Sequence, residues 1–423
     1  MPARGALLWL AGACLVGMAR AASAAESSVD LSVRTRALFF GMETQLSPNS
    51  PFNPDNRIAA LPRTELELHL RPDFTVSGEG WEAVAKPRAI GRHTRTQSAG
   101  QELRETDATL VLNEAWLRGD FGAEWVATLG RKVVLWGPSM FVSPSNPFFV
   151  DNGRSNPYRE IHGRDFAQIY YFANDSLSLQ GIVNTGRGEA VSGVAAFQPV
   201  AALKLDWTGA THGLSLILSG KEGEAPRLGG YGQITASQGL LLYGEGALQR
   251  GSAALYPERP AGDFIAREQD SNRLYATALV GAAYTLAAGP TLHIEYVHNN
   301  EGYSDGEAAD YYDLARDLSQ QMGVGGAAAV LGKGLNPKQL LLRRNYLFAQ
   351  YLHTNIGNSL DATLRYTHNL DDGSGMFVPI LSWNATDRLQ LFALGVFNRG
   401  GARSEFGPLL HRQVMLGAQL FLD

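Results

Sequence analysis

Residues 64–70, TELELHL, alternate strictly between polar and apolar side chains. An extended chain would place the three leucines on one face and the two glutamates and the histidine on the other. The same period of two recurs in residues 360–369, LDATLRYTHN. The pattern predicts β-strands and fits two folds. In a soluble sandwich the leucines face a core, whereas in a barrel in lipid they face outward and the polar side chains line the lumen.

The spacing of turn signals separates these two folds. Tight connections are predicted at 77–80, 119–122, 174–176, 208–212, 237–239, 287–290, 356–358 and 385–387. Longer polar connections are predicted between them, near 42–61, 92–105, 136–163, 187–198, 222–228, 251–272, 301–338, 371–375 and 400–409. Strictly alternating short and long connections are typical of outer-membrane barrels. With one strand at each end (about 29–41 and 410–422), the sequence predicts an all-β fold, a transmembrane antiparallel β-barrel. The count is about 18 strands, with 16 as the alternative, joined by short periplasmic turns and long external loops.

The first 24 residues have the features of a secretory signal peptide. Arg4 precedes a short apolar run at 6–16, and Ala22-Ser23-Ala24 forms a cleavage site. Cys14, the only cysteine, lies in this segment; its lipidation is an alternative, although 11–13 (Ala-Gly-Ala) lacks the usual aliphatic residue. The predicted mature chain, 25–423, is a single barrel domain without disulfides or thiolate metal sites. It carries 34 basic and 41 acidic residues, so nucleic acid is not an expected partner.

The C-terminal stretch 411–423, HRQVMLGAQLFLD, alternates in the same way and predicts the closing strand. Together with the signal peptide and the alternating loops, it makes the whole mature chain resemble Gram-negative outer-membrane porins. Residues 130–137, GRKVVLWG, followed by SPSNPF at 143–148, are similar to the strand-to-loop signature of a porin-like family with a Gly-Arg-x-x-x-x-Trp-Gly run. The resemblance implies an outer-membrane channel. Its expected partners are membrane lipid, lipopolysaccharide, the barrel assembly machinery and small hydrophilic solutes, and a homo-oligomer is left open.

In porins the third long loop commonly folds into the barrel, and 136–163 is the third here. Its prolines and asparagines favour one fixed shape. The residues predicted at the pore constriction are Trp136, Asn146, Arg154, Arg159 and Arg164. The residues predicted to line the lumen are Arg34, Arg36, Glu65, Glu67, Arg71, Glu295, Asp361 and Arg365. The arginines have two interpretations: they favour anionic solutes, or they pair with luminal carboxylates.

In the longest loop, Ser304 and Glu307 form a capping-box pattern, and apolar residues at helical spacing predict a short helix that Gly323 ends. Its acidic residues suggest either a solvated face or a site for divalent ions of the lipopolysaccharide layer.

Catalytic patterns are absent from the sequence. It has no Gly-x-Ser-x-Gly, no His-Glu-x-x-His and no metal-ligand spacing among nine scattered histidines. We therefore expect no enzyme activity, no cofactor and no metal. The predicted function is diffusion of small hydrophilic solutes, with a preference for anions under the first interpretation of the arginines. The alternatives are a barrel that exports a polysaccharide or other polymer and, third, a barrel hydrolase.

Overall fold

The computed structural model describes residues 29–48, 50–149, 156–188, 197–267, 272–322 and 326–422. In these residues eighteen antiparallel strands form one sheet, which closes where β1 pairs with β20, from Arg36 opposite Phe421 to Leu46 opposite Leu410. The predicted signal peptide with Cys14, and also Arg154 and Gly323, lie outside the described residues. The barrel strands are β1 (Asp30–Leu46), β2 (Thr64–Gly78), β3 (Trp81–Ser98), β4 (Gln101–Phe121), β5 (Trp125–Lys132), β6 (Arg164–Asn174), β7 (Leu177–Gly186), β8 (Val200–Thr208), β9 (His212–Lys221), β10 (Arg227–Thr235), β11 (Leu240–Arg250), β14 (Leu274–Thr285), β15 (Thr291–Asn299), β16 (Asn345–Ile356), β17 (Leu360–Asn369), β18 (Gly375–Thr386), β19 (Leu389–Arg399) and β20 (Leu410–Phe421). A separate hairpin, β12 (Leu255–Glu258) and β13 (Asp263–Ala266), lies in a long loop.

The two faces of the wall are inverted relative to a soluble sandwich. On β2, Leu66 and Leu68 are 46% and 58% exposed, whereas Glu65 and Glu67 are 6% and 2% exposed. Large apolar side chains point outward around the ring in the same way, for example Leu129 and Ile294. An apolar outer face and a polar inner face are what a barrel in lipid requires. The predicted fold class is confirmed.

Aromatic side chains border the apolar outer face at both ends of the strands. Near the short turns, Phe121, Trp125, Tyr171, Trp207, Tyr284 and Trp383 lie in the outer wall. Near the long loops, the exposed rings are those of Tyr296, Tyr366, Phe377 and Phe397. Rings with an apolar body and, in Trp and Tyr, a polar edge suit the two interfaces of a bilayer. Both chain ends of the barrel, at Asp30 and Phe421, lie at the short-turn end, as predicted.

All eight predicted tight connections are confirmed, but one of the long ones is wrong. β3 and β4 remain paired up to Ser98 and Gln101, and only Ala99 and Gly100 form the turn. Both have a positive φ, 52° and 78°, which fits a tight hairpin turn. The polar composition of 92–105 suggested a loop because this hairpin extends beyond the apolar part of the wall, where polar residues suit both faces.

The long loops build a packed cap over their end of the barrel. It contains α1 (Asp305–Ser319), α2 (Ala327–Leu335) and the β12–β13 hairpin around a core that includes Tyr303, Tyr311, Phe264 and Leu331. The predicted capping box is confirmed, since Ser304 and Glu307 bond to each other's backbone N–H. The helix ends at Ser319. No helix in the described ranges combines the length and apolarity needed to cross a membrane.

The acidic residues of α1 are engaged by arginines from several loops. Arg403 donates to Asp313 at 2.6 Å, Arg267 to Glu307 at 2.6 Å, and Arg343 to Asp305 at 2.5 Å. Arg259 lies within 4 Å of Asp310, Asp313 and Asp317. Within the described part of the chain, no group of three or more His, Cys, Asp or Glu residues could hold a metal ion. These ion pairs link α1 to the surrounding loops, while Asp305, Asp310 and Asp317 stay exposed on the acidic face. Binding of divalent ions by this face remains a prediction.

Glu405 joins the last long loop to this cap. Its carboxylate accepts hydrogen bonds from Tyr346 Oη at 2.6 Å and Asn369 Nδ2 at 2.7 Å, and Asp372 lies beside it. Burial, together with the charge of Asp372, raises the pKa of Glu405 to about 7. A carboxyl group whose pKa is raised by folding makes its full contribution to the stability of the folded state when the pH is below its ordinary pKa, near 4.5. That contribution is lost as the pH rises through about 7.

We expect the loop at 400–409 to loosen between pH 5 and pH 8. Trypsin should then cleave after the exposed Arg403 faster at pH 8 than at pH 5, after correction for the pH dependence of trypsin on a peptide substrate. In Glu405→Gln, which carries no titratable group, the corrected rates should differ little between the two pH values. An equal pH dependence in the native protein and the variant would contradict this assignment.

Candidate functional site

A long segment between β5 and β6 turns into the barrel. We call residues 133–163 the inner loop; its parts 133–149 and 156–163 are described. These parts contact inward-facing side chains on β2, β3, β11, β15, β18 and β19, which lie on different sides of the ring. A segment outside the barrel could not reach all of these side chains. The inner loop therefore crosses the lumen.

Glu295 is the first anchor of the inner loop. It is fully buried on β15. Its two oxygens accept hydrogen bonds from Ser139 Oγ at 3.0 Å, Met140 N at 2.5 Å and Phe141 N at 3.0 Å. Tyr243 Oη donates a fourth at 2.6 Å. A carboxylate that accepts several N–H and O–H groups fixes the backbone that carries them.

Glu245, on β11, is the second anchor. It accepts hydrogen bonds from Ser143 Oγ at 2.5 Å and from Ser145 N and Oγ at 3.0 and 2.7 Å. Arg227, at the start of β10, donates to the carbonyl oxygen of Pro144 between these two serines. The SPSNP run thus supplies paired donors to a wall carboxylate. Gly137 has a φ of 87°, which favours glycine, and a Cβ there would lie 2.3 Å from the Glu245 carboxylate.

The other end of the inner loop is held by arginines of the wall. Arg88, on β3, is 2% exposed and donates to both oxygens of Glu160, at 2.6 and 2.9 Å. It also donates to Asp73 at 2.7 Å. Arg71, on β2, donates to the carbonyl oxygen of Tyr158 at 2.7 Å. Bidentate contacts between a guanidinium and a carboxylate are strong and directional, so this end is fixed in both position and orientation.

Apolar contacts complete the attachment of the inner loop. Tyr158 stacks on Phe392 of β19 with 3.5 Å between ring centroids. Phe148 meets Phe166 of β6 edge to face at 5.0 Å, and Phe141 stacks on Phe348 at 5.6 Å. Each aromatic side chain enters a different apolar patch on the inner wall. The inner loop is thus packed in place and does not hang free in solvent.

The four predicted constriction residues that the structure describes do not form one cluster, and the fifth, Arg154, lies outside the described residues. Trp136 and Asn146 lie in the part of the inner loop near β6, with Asn146 2% exposed and Trp136 edge to face with Phe148. Arg159 lies across the lumen, beside β2. Arg164 is the first residue of β6, partly buried, and no ion pair is found for it among the described residues.

Arg159 pairs with carboxylates of the barrel wall. Its guanidinium donates to Glu65 at 2.9 Å and Glu67 at 3.3 Å. Arg92 reaches the same two carboxylates at 3.1 and 2.9 Å. Two glutamates and two arginines therefore neutralise each other on the lumen face of β2 and β3. The pairing interpretation holds for Arg159.

The predicted lumen-lining residues all lie on inward-facing positions of their strands. Glu65, Glu67, Arg71 and Glu295 are buried. Arg36 lies 3.4 Å from Asp73, Asp361 accepts from Asn355 N at 2.7 Å, and Arg365 Nε donates to Gln350 at 2.7 Å. Arg34 is exposed on the same face of β1, nearer the short-turn end. Their effect on solutes remains a prediction.

Residues of this site that were not identified from the sequence include Glu245, Arg88 and Asp73. Glu245 stands between two glycines in LLLYGEGALQR, on the polar face of an alternating strand. That alternation could have identified it. Arg88 follows Pro87, and a proline inside a strand obscured the pattern. No signal in the sequence pairs either residue with the inner loop, because the partners are 72 and 100 or more positions away.

No family model matches the chain, and no curated protein matches its sequence. Solved structures match its fold. The chain is similar to OccK5 (OpdH) of Pseudomonas aeruginosa, with 12% identity, a TM-score of 0.52, and coverage of 93% of this chain and 99% of that chain. OprD of the same organism has 11% identity and a TM-score of 0.51, and the match covers 93% of this chain and 96% of OprD. OccAB1 of Acinetobacter baumannii has 10% identity and a TM-score of 0.55, and the match covers 93% of this chain and 97% of OccAB1.

At these identities the likeness shows the fold alone, a closed 18-stranded antiparallel barrel of the porin type. Such a barrel with an apolar outer face fits the outer membrane of a Gram-negative bacterium, the predicted location.

Proposed function

We propose that the protein is an outer-membrane channel through which small hydrophilic solutes diffuse, with no covalent chemistry. The observation that carries the proposal is the inner loop, which is fixed across the lumen of a closed barrel by wall carboxylates on one side and wall arginines on the other. A narrowed, polar passage admits small hydrophilic molecules and excludes larger ones. In this proposal the inner loop is the constriction, as its position as the third long loop of a porin-like barrel implies.

Conductance of the purified protein in planar bilayers tests the proposal. We expect ohmic current steps at neutral pH. The polymer-export alternative makes a different prediction, because a gene deletion would then abolish secretion of an extracellular polysaccharide. No conductance in the bilayer together with loss of secretion would replace the channel proposal by export. Conductance with normal secretion would support diffusion.

The charge preference of the channel depends on the balance between Arg159 and the glutamates beside it. Replacing Arg159 by Gln leaves Arg92 beside both Glu65 and Glu67, with His69 beside Glu67, and removes one positive charge from the lumen. One charge within about 8 Å of a permeating ion, at an effective dielectric constant near 80, changes the energy of chloride and of potassium by about 0.5 kcal/mol each and in opposite directions, so their difference changes by about 1 kcal/mol. We expect the chloride-to-potassium permeability ratio of Arg159→Gln to fall about fivefold, measured by reversal potentials in a KCl gradient.

Arg159→Gln combined with Glu67→Gln is the matched control, because it restores the net charge at this position. Its permeability ratio should return close to the native value. If the single variant has the native reversal potential, the pore does not pass this cluster.

A further inference from the structure

Charged side chains on the outer face of six adjacent strands, β19, β20 and β1 to β4, lie at one end of the wall. The structure describes these strands in full, and their outward positions are those in register with Leu66 and Leu416, which are 46% and 60% exposed. From the short turns to the level of these leucines, the outward positions of the six strands carry no charge. The outward-facing charged residues at the long-loop end are Arg95, Arg104, Arg399, Arg412, Glu43 and Glu102.

The hairpin of β3 and β4 carries two arginines at directly opposite positions, Arg95 and Arg104. One step below them on the same face, His93 Nδ1 lies 2.8 Å from Thr106 Oγ1. Like charges in such a position destabilise a strand pair. Glu102 is the carboxylate beside them, 2.6 Å from Arg104 and also in the field of Arg95. Two arginines thus share one carboxylate, and this face keeps a net positive charge.

Arg412 and Arg399 extend this surface across β20 and β19. Arg412 lies opposite Phe397 on one side and Gln45 on the other, and Arg399 follows two residues beyond Phe397. Both arginines are exposed, and neither forms an ion pair with any residue that the structure describes. We call Arg95, Arg104, Arg399 and Arg412 the outer basic surface. Neighbouring strands are about 4.8 Å apart, so it extends roughly 24 Å around the barrel from β19 to β4.

The level of the outer basic surface indicates what contacts it. Arg95 lies opposite Thr64, two residues beyond Leu66, so the arginines begin within about 7 Å of the apolar wall. Lipid whose acyl chains cover this wall places its headgroup at that height, where the exposed ring of Phe397 also lies. The lumen is on the other face of these strands, so permeating solutes do not reach the four arginines.

Phosphate is the anionic group that best fits this surface. A guanidinium binds phosphate through two parallel hydrogen bonds, which a planar fork of donors favours. The long loops of outer-membrane barrels face the exterior, where lipopolysaccharide carries phosphates on its acylated sugars. We propose that the outer basic surface binds the phosphate groups of lipopolysaccharide. The inference gives the partner expected from the sequence a place on the barrel, and it does not depend on the channel function.

Titration of the purified protein with rough-type lipopolysaccharide in a neutral detergent tests this inference. Native mass spectrometry counts the lipopolysaccharide molecules bound to each barrel. EDTA removes divalent ions, so bridges to the acidic residues of the cap do not contribute. An arginine near an anionic lipid surface contributes about a fivefold gain in affinity, so Arg95→Gln combined with Arg412→Gln should bind about thirtyfold more weakly than the native protein.

Arg118→Gln combined with Arg388→Gln is the matched control. It removes the same charge from two exposed arginines at the short-turn end and should bind lipopolysaccharide with native affinity. Dephosphorylated lipopolysaccharide, which keeps the acyl chains, should bind the native protein about as weakly as intact lipopolysaccharide binds Arg95→Gln with Arg412→Gln. Migration on gels before and after heating checks that each barrel is folded.

The outcomes separate this inference from the proposed function. Equal affinities of the two double variants, or equal binding of intact and dephosphorylated lipopolysaccharide, overturn the inference. Phosphatidylglycerol that binds as tightly as lipopolysaccharide, and loses as much affinity in Arg95→Gln with Arg412→Gln, overturns the assignment to lipopolysaccharide. Both double variants should conduct in planar bilayers. A native barrel that binds lipopolysaccharide through this surface but never conducts contradicts only the channel proposal.

Discussion

Deletion of residues 139–157 should raise the single-channel conductance severalfold. This segment contains all the donors to Glu245 and Glu295 found in the described parts of the inner loop, and it joins the two sets of anchors. The conductance of a narrow channel is set by its tightest cross-section, so removal of the segment that narrows it should have a large effect. The measurement is the distribution of single-channel current steps in 1 M KCl, compared with that of the native protein.

The deletion also removes hydrogen-bond partners from buried wall residues, so a second variant is needed. Replacing both Glu245 and Glu295 by Gln keeps the chain length and the side-chain volume and removes the two charges that hold the inner loop. We expect a current that fluctuates between the native level and higher levels. Folding of each barrel is checked by its migration on gels before and after heating. A correctly folded deletion variant with native conductance and reversal potential would show that the inner loop does not limit the passage.

The wall of the barrel could be predicted from the sequence to a large extent. TELELHL and LDATLRYTHN indicate strands because the side chains of a strand alternate between two faces, and short turns need specific residues. The direction of the faces could not be read from the alternation itself. It followed from the alternating loop lengths, and the exposure of Leu66 and Leu68 confirms it.

The prediction of secondary structure failed where the local sequence pattern does not depend on whether a residue faces lipid, lumen or solvent. The hairpin of β3 and β4 has polar residues on both faces near its tip, so it resembles a loop although its backbone is fully paired. α2 was not predicted, because AAAVLGKGL contains two glycines and follows a glycine at its N-cap, and glycine weakens helices. Its burial against the cap core stabilises it in the folded protein.

The contacts that anchor the inner loop could not be predicted from the sequence either. Glu295 was predicted to line the lumen, but three of its four hydrogen bonds depend on how a segment about 155 residues earlier folds back. The same is true of Arg88 and Glu160, which are 72 positions apart. Sequence periodicity predicts which side of the wall a residue faces. It does not predict which residue of a distant loop will meet it there.

Replacing Arg88 by Met should destabilise the barrel more than any other single substitution discussed above. The guanidinium makes five hydrogen bonds: two to Glu160, one to Asp73, and one each to the carbonyl oxygens of Pro72 and Pro87. Methionine fills part of the volume but leaves two carboxylates and two carbonyl groups without this partner. Removing one member of a buried ion pair typically costs about 3 to 5 kcal/mol.

Arg92→Met provides the matched control, because Arg92 lies four positions along the same strand and faces the same way. It also contacts two carboxylates, Glu65 and Glu67, but its side chain is 42% exposed. The guanidinium of Arg92 is partly screened by solvent and Arg159 still pairs with both carboxylates in the variant, so the loss should cost only about 1 kcal/mol. The free energies of unfolding are measured by urea titration of the folded protein in lipid vesicles, from the fluorescence of its tryptophans.

Arg88→Met should loosen the inner loop in addition to destabilising the wall, because the lost contact joins Arg88 of β3 to Glu160 of the inner loop. Without the bidentate contact, Arg71 remains near Glu160 at 3.8 Å, a distance too long for a direct hydrogen bond. Arg88→Met combined with Glu160→Leu removes one uncompensated carboxylate and should recover part of the lost stability, but not the fixed position of the loop. The double variant should therefore be more stable than the single one and still show a noisy open-channel current. Equal losses of stability in Arg88→Met and Arg92→Met would contradict the assignment of Arg88 as the clamp between wall and loop.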